Sequence, residues 1–218
     1  MKVIIKNIKM VEIKKCLIVG SSGDIGSSIL KTMLDLDYDI TEVNRTGTFR
    51  YDEFFASKNT YDSVIISSGI MGLKPIKLLS INDLEDFMKV NFYLPAKIIL
   101  HLIRNKLLNP DANIIVISSI AGQSAWTKGG TAYSASKAAL NSFIKSTALE
   151  LKQNRTINAI CPGMVEGSNT KELSAQLTGS INKDRTKYPM GYISTDGIAQ
   201  YASFLATYAN KMKVNGTL

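Results

Sequence analysis

The sequence predicts a three-layer α/β/α fold, a doubly wound parallel sheet, from three observations. Short, continuously apolar runs alternate with segments whose apolar residues recur at helical spacing, the pattern of strands buried on both faces by crossover helices. The first such run ends in a glycine-rich turn that opens a helix. The chain has 218 residues, 45% hydrophobic and 20% charged, which suits one large core and is marginal for two domains. Residues 1–218 are therefore read as a single domain, and the handedness rule for crossovers makes it Rossmann-type.

Taken in order, residues 1–13 are a leader or an extra edge strand, the leader being the preferred reading. "CLIVG" (16–20) is the first strand and residues 24–37 the first helix. "ITEVNR" (40–45) and "DSVIISSG" (62–69) read as strands. Residues 81–108 form a long amphipathic helix, bent at Pro95 because proline removes a helical hydrogen bond. "NIIVISS" (113–119) is a buried strand, 131–152 a helix, "TINAICPG" (156–163) a strand and 195–211 a helix.

Composition excludes several classes. No stretch approaches the roughly 18–20 apolar residues of a membrane helix, and lysines or acids interrupt the N-terminus too often for a signal region. Cys16 and Cys161 are the two cysteines, which speaks against a disulfide framework or a metal cluster and for a reducing, cytoplasmic setting. Net charge is +8, yet the lysines are scattered, without a dense run or interleaved aromatics. This reads as a solvated surface that also attracts a phosphorylated cofactor. Neither a nucleic-acid nor a membrane partner is expected.

In "CLIVGSSGDIGSSIL", Gly20, Gly23 and Gly26 stand between strand and helix, with Asp24 and Ile25 inside the turn. Glycine is needed where the chain turns sharply or where backbone approaches a pyrophosphate without a Cβ intervening. The helix start adds free N–H groups and a positive dipole end, and Ser21 and Ser22 offer hydroxyl donors. The second strand ends at Asn44 and Arg45, with no acid beside them. An arginine there suits the 2′-phosphate of NADP by charge and fork geometry, whereas a carboxylate suits the ribose of NAD. The expected cofactor is NADP(H), with NAD(H) second.

"GTAYSASKAAL" (130–140) places Tyr133 and Lys137 four apart on one helix face. A carbonyl reduced to an alcohol needs a proton, and a free phenol with pKa about 10 is a poor acid/base near neutrality. An adjacent ammonium favours the phenolate. Tyr133 is the expected general acid/base, tuned by Lys137. Ser118 and Ser119 end the preceding strand at the sheet's carboxyl edge, where Ser119 can stabilise a developing oxyanion. Asn91 either satisfies a kinked helix or holds a proton-relaying water. His101, the single histidine, is read as structural, and without a second one metal catalysis and Ser-His-Asp chemistry find little support. Trp126 lines a pocket or covers a helix.

Together these segments resemble the short-chain dehydrogenase/reductase family over residues 14–218. "ISSIAG", "YSASK" and "INAICPGMV" match its serine segment, its Tyr-x-x-x-Lys helix and its Pro-Gly turn, and Asn91, Ser119, Tyr133 and Lys137 fall on its catalytic tetrad in order. The resemblance implies reversible NAD(P)-dependent carbonyl/alcohol chemistry on a small-molecule substrate. It implies cofactor contacts from Gly20, Ser22 and the rest of the turn, from Ser67, Ser68 and Gly69, from Tyr133 and Lys137, and from Pro162, Gly163 and Val165. It implies a homodimer or homotetramer, often built through the two helices that hold Asn91 and Tyr133.

The departures carry their own expectations. Asp24 stands where the family has glycine, and "ISSG" replaces its Asn-Asn-Ala-Gly, leaving Ser67 and Ser68 to structure that loop. Only 42 residues separate Gly26 from Ser68 (68 − 26). The family's third strand and its flanking helices must be abbreviated, with 48–55 as the remnant and a correspondingly open adenine pocket. A threonine near the cofactor amide falls on Gly167, beside Ser168. The last strand is minimal or absent at "VNGTL", which favours a dimer. A polar, lysine-bearing lid over 163–189 hints at a sugar or anionic substrate. The competing readings are a dinucleotide-sensing protein without turnover and, with no motif behind it, a nucleic-acid binder.

Overall fold

The computed structural model describes residues 13–45, 51–166 and 191–218. The predicted leader, Gly167, Ser168 and most of the predicted lid lie outside these residues.

Five parallel strands form one sheet in the order β2-β1-β3-β4-β5. They are β1 (Lys15–Val19), β2 (Asp39–Val43), β3 (Tyr61–Ile66), β4 (Leu108–Ile117) and β5 (Thr156–Ile160). The central strands read as unbroken apolar runs because both faces are covered. Side-chain alternation then sorts each run between two cores. Leu17, Val19, Val64, Ile66, Ile114 and Val116 face one core; Cys16, Ile18, Ile65, Ile115 and Ile117 face the other. The second core is closed by α1 (Asp24–Asp35) and α6 (Thr195–Met212). The first is closed by α2 (Tyr51–Ala56), α4 (Leu94–Arg104) and α5 (Thr131–Glu150). Ser194 caps α6 by accepting from the Gly197 N–H, and Ser80 with Asp83 forms a capping box on α3 (Ile81–Met88).

The doubly wound sheet and its alternating elements match the expectation; two local features differ. The long helix does not run to 108, and its backbone pattern changes just before Pro95. Five residues, Lys89–Tyr93, widen into a π turn between α3 and α4, immediately before Pro95, which has no N–H to offer the carbonyls of that turn. Helix α4 ends at Arg104, and Leu108 already belongs to β4. The second concerns the remnant expected at 48–55, whose described part is helical. Residues 51–56 are a helix, and β3 pairs directly with β1. Among the described residues no strand flanks β2 on its outer side.

The last strand, expected to be minimal or absent, is reduced to two backbone bonds along β5. The Gly216 N–H donates to Ile157 O and the Ala159 N–H to Thr217 O, each at 2.9 Å. Asparagines complete the row: Asn158 donates to Val214 O and accepts from the Thr217 N–H and hydroxyl, while Asn215 accepts from the Ile157 N–H.

The chain runs outward from β1 to β2, then crosses back to β3 and continues the other way. This puts a topological switch point at the carboxyl ends of β1 and β3, where open α/β sheets form their binding crevice.

Candidate active site

The glycine turn forms one end of that crevice. Gly20 has φ +87°, and a Cβ there would lie 2.7 Å from Ser68 N. A Cβ on Gly26 would sit 2.0 Å from Gly20 O, so the turn and the start of α1 pack with no room for a side chain. Gly23 caps α1 without any side-chain hydrogen bond, leaving first-turn N–H groups available to a ligand. Asp24 and Ile25 border the same cavity.

Ser21 is not the phosphate donor the sequence suggested. It is almost fully buried and donates to Glu42 Oε2 at 2.6 Å while accepting from Asn44 Nδ2 at 2.8 Å. The Ser22 N–H in turn donates to Asn44 Oδ1 at 3.2 Å. Asn44 thus buttresses the turn from the end of β2. A carboxylate does stand near it after all: Glu42, two residues upstream and on the same face. Strand alternation was the signal that could have found it.

The end of β3 supplies the next wall. The Ser67 hydroxyl donates to Gly20 O at 3.0 Å, the structuring role expected of it, and Ser68 packs against Gly20. Asn91 is fully buried in the π turn. Its Oδ1 accepts from the Ile70 N–H at 2.8 Å, and its Nδ2 donates to Ile70 O at 2.9 Å and to the Ser136 hydroxyl at 3.0 Å. The Ser136 hydroxyl donates to Tyr133 O. The amide therefore staples the loop after β3 to α5, and both its N–H donors are engaged within the protein. Ile70 and Ser136, its partners, were not among the predicted site residues.

Tyr133, Ser119 and Lys137 border a single cavity of about 300 Å³ that reaches from the glycine turn past Gly69 to Pro162, Gly163 and Val165. Ser119 caps a short turn by accepting from the Ala121 N–H at 3.1 Å. Burial pushes the Tyr133 phenol above its ordinary pKa, and a hydrogen bond from the Ser119 side draws it partly back. The depression expected from Lys137 is not what this geometry produces. Lys137 is 4% exposed and donates to Ile117 O at 3.1 Å. Burial lowers its own pKa to about 8, so its charge is held weakly. The half-buried Cys161 thiol lies close enough to couple to both groups. Behind it, Ser118 donates to Asn141 Oδ1 at 2.6 Å.

Two other residues fall outside the cavity. Trp126 is 75% exposed, and its neighbours Ala125 and Thr127 line the wall instead. His101 packs its ring against Phe54 and Phe55, centroids 5.4 and 5.0 Å away, as a structural histidine would. Arg45 lies at the exposed end of β2, close enough to Tyr51 to influence its phenol.

The residues present fit a dinucleotide. A cradle that a Cβ would fill leads to uncapped helix N–H groups, and the cavity continues to a phenol, a hydroxyl and an amine.

A family model described as "Enoyl-(Acyl carrier protein) reductase" matches residues 36–217. The 3-oxoacyl-[acyl-carrier-protein] reductase FabG of Buchnera aphidicola subsp. Baizongia pistaciae is 31% identical over 170 residues, 74% of this chain and 64% of the relative. The chain thus spans a little under two thirds of the length of that curated relative. A short-chain dehydrogenase family protein from Francisella tularensis shares the fold, with TM-score 0.80 and 21% identity over 94% of this chain and 96% of that one. So does BdcA, solved in complex with NADPH, with TM-score 0.77 and 19% identity over 94% and 91%. With the glycine turn, the Tyr133–Lys137 helix and the Pro162-Gly163 turn meeting at one crevice, and with a family match across most of its length, the chain belongs to the short-chain dehydrogenase/reductase family.

Proposed function

We propose that this chain is an oxidoreductase that interconverts a small carbonyl and its alcohol with NADP(H) in preference to NAD(H). The observation that carries the reading is the shared cavity: Ser119, Tyr133 and Lys137 border the same space as the glycine turn. The nicotinamide dinucleotide, when bound, supplies or accepts the hydride. Tyr133 passes a proton to or from the substrate oxygen, and the Ser119 hydroxyl hydrogen-bonds that oxygen as charge builds. Lys137 holds ribose hydroxyls and, once drawn toward the phenol, favours its ionised form. Asn91 works by position, fixing the loop that carries Gly69 and Ile70 against α5.

Arg45 supports the NADP(H) preference, as does the NADPH bound to BdcA. The Glu42 carboxylate opposes it only weakly, because its charge is already engaged by the Ser21 hydroxyl. For the substrate, the relatives named for 3-oxoacyl carrier-protein reduction favour a ketone in the 3-position of an acyl thioester, whereas the polar, lysine-bearing stretch over 163–189 favours a sugar or an anionic metabolite. Assembly into a homodimer or homotetramer is supported by the exposed apolar residues Tyr93, Leu100, Ile103 and Leu149 around α4 and α5. A cytoplasmic setting is supported by the free thiols of Cys16 and Cys161.

The test is oxidation of NADPH and NADH against a panel of 3-oxoacyl thioesters, keto acids and keto-sugars, with Tyr133→Phe as control. Turnover that disappears in the variant while NADPH affinity stays within a few-fold supports the reading. Turnover retained by the variant removes Tyr133 from its role. Tight cofactor binding by the wild type with no turnover on any substrate, unaltered by the substitution, assigns the chain to dinucleotide sensing instead.

A further inference from the structure

Beside Tyr133 the crevice has a wall of its own, built from the loop after β3 and the loop before α5. We propose that Met71 and Leu73 in that wall determine specificity, selecting a ketone or alcohol whose longer arm is apolar and uncharged over a sugar or an anionic metabolite.

This deepens the oxidoreductase reading above and rests on it. Both side chains border the same cavity as Tyr133 and Ser119. Leu73 is placed by contact: its Cδ2 lies 3.6 Å from where a Gly130 Cβ would be, and Gly130 caps the helix that carries Tyr133. Ile70 and Ala125 extend the apolar surface, while Thr127 and Ser134 add neutral hydroxyls. Among the described residues, the charged side chains on this cavity are Asp24 and Lys137. Asp24 belongs to the glycine turn, and Lys137 donates to Ile117 O. Lys74 follows Leu73 directly, yet its ammonium is held at 2.6 Å by Asp83 Oδ2, a carboxylate that also accepts from the Ser80 hydroxyl. A substrate carboxylate or phosphate against this wall would give up water and gain no cation in return. An alkyl arm would gain about 25 cal/mol for each Å² of apolar surface it covers.

The wall is preformed. The Lys74 N–H donates to Gly129 O at 2.8 Å and joins the two loops. Asn91 holds Ile70 by both its backbone groups. Phe87 of α3 backs the loop and the phenol together. The tip of its ring lies 3.0 Å from where a Gly72 Cβ would be, and the ring meets Tyr133 edge-on with centroids 6.3 Å apart. Loop and phenol therefore keep a fixed spacing, so an arm resting on Met71 and Leu73 brings its carbonyl to Tyr133. The cavity of about 300 Å³ also receives the nicotinamide end of the dinucleotide, which keeps the arm short.

Initial rates of NADPH oxidation by the full chain with methyl butyl ketone, levulinate and methyl levulinate test the proposal. All three present the same methyl ketone, and the ester separates charge from shape. In the wild type, kcat/KM for the ketone and for the ester should each exceed that for levulinate at least about tenfold. Leu73→Ala should lower kcat/KM for methyl butyl ketone about tenfold, chiefly through KM, and by more than it does for acetone, which has no arm to lay on the wall. Met71→Lys should move the levulinate-to-ketone ratio at least about tenfold toward levulinate. Levulinate, keto acids or keto-sugars reduced as well as the ketone and the ester overturn the proposal and leave the oxidoreductase reading intact, as does a ratio that Met71→Lys does not move. A wild type with no Tyr133-dependent turnover of any carbonyl removes both.

Discussion

Lys137 is a buried cation with one hydrogen-bond acceptor, and replacing it with methionine should make the ligand-free protein more stable near neutral pH. The folded chain lowers its pKa from 10.5 to about 8 by burial. Between those values the unfolded chain holds a proton the folded chain does not, so stability rises with pH across that window. Below pH 8 both states are protonated and the folded chain bears the full penalty of a buried charge. At about 1.4 kcal/mol per pKa unit, a drop of this size corresponds to roughly 3 kcal/mol. Methionine removes that penalty but leaves Ile117 O without its partner, a loss of about 1 kcal/mol. The net gain near 2 kcal/mol should raise the melting temperature by about 4–8 °C in a domain of this size. Thermal melts of ligand-free wild type and Lys137→Met at pH 7 and pH 10 measure it. The advantage should be present at pH 7 and largely gone at pH 10. A variant that melts below the wild type at pH 7, or an advantage equal at both pH values, would refute the reasoning.

Other substitutions probe the remaining parts of the crevice. Gly26→Ala forces a methyl to within 2.0 Å of Gly20 O; it should destabilise by roughly 3 kcal/mol or more in a chemical melt and abolish NADPH binding. Asn91→Ala removes the buried amide that ties the Ile70 N–H and C=O to the Ser136 hydroxyl, so unfolding free energy should fall by roughly 2 kcal/mol, with a lower kcat in whatever protein remains folded. Arg45→Ala should weaken NADPH at least about tenfold, read by nucleotide fluorescence, while NADH shifts by less than about threefold. Equal losses for the two nucleotides would end the 2′-phosphate assignment. Asn158→Ala removes the side chain that holds Val214 and Thr217 and should lower stability by about 2 kcal/mol, with faster amide exchange at Gly216 and Thr217.

The features written as local periodicity were legible in the sequence. β1 and β4 are continuous apolar runs, α1 begins at the glycine turn, and Tyr133 and Lys137 share a face of α5 because residues four apart on a helix must. What was not legible depends on partners distant in the chain. Nothing local says that the Asn91 amide is spent on Ile70 and Ser136, 21 and 45 residues away. Burial, which sets the Tyr133 and Lys137 pKa values, is a property of the packed molecule, and the expectation from their spacing alone had the sign of the phenol shift reversed. The π turn escaped notice because Pro95 offered a ready local cause for a bend. Helix α2 was not legible because "YDEFFA" carries aromatics that suit either state, and the tertiary contact of Phe54 with the core decides between them.

The row of bonds along β5 has a consequence for synthesis. Its partners lie at 214–217, some 54 residues after Ile160 (214 − 160), so they leave the ribosome last among the pieces of this sheet. At about 5–20 residues per second, β5 waits on the order of three to ten seconds with its outer N–H and C=O groups unmatched. During that interval the nascent chain presents a sticky ribbon edge to its neighbours. Yield in a crowded cell should therefore respond to translation speed over 161–213 and to chaperone supply more than to the stability of the finished fold.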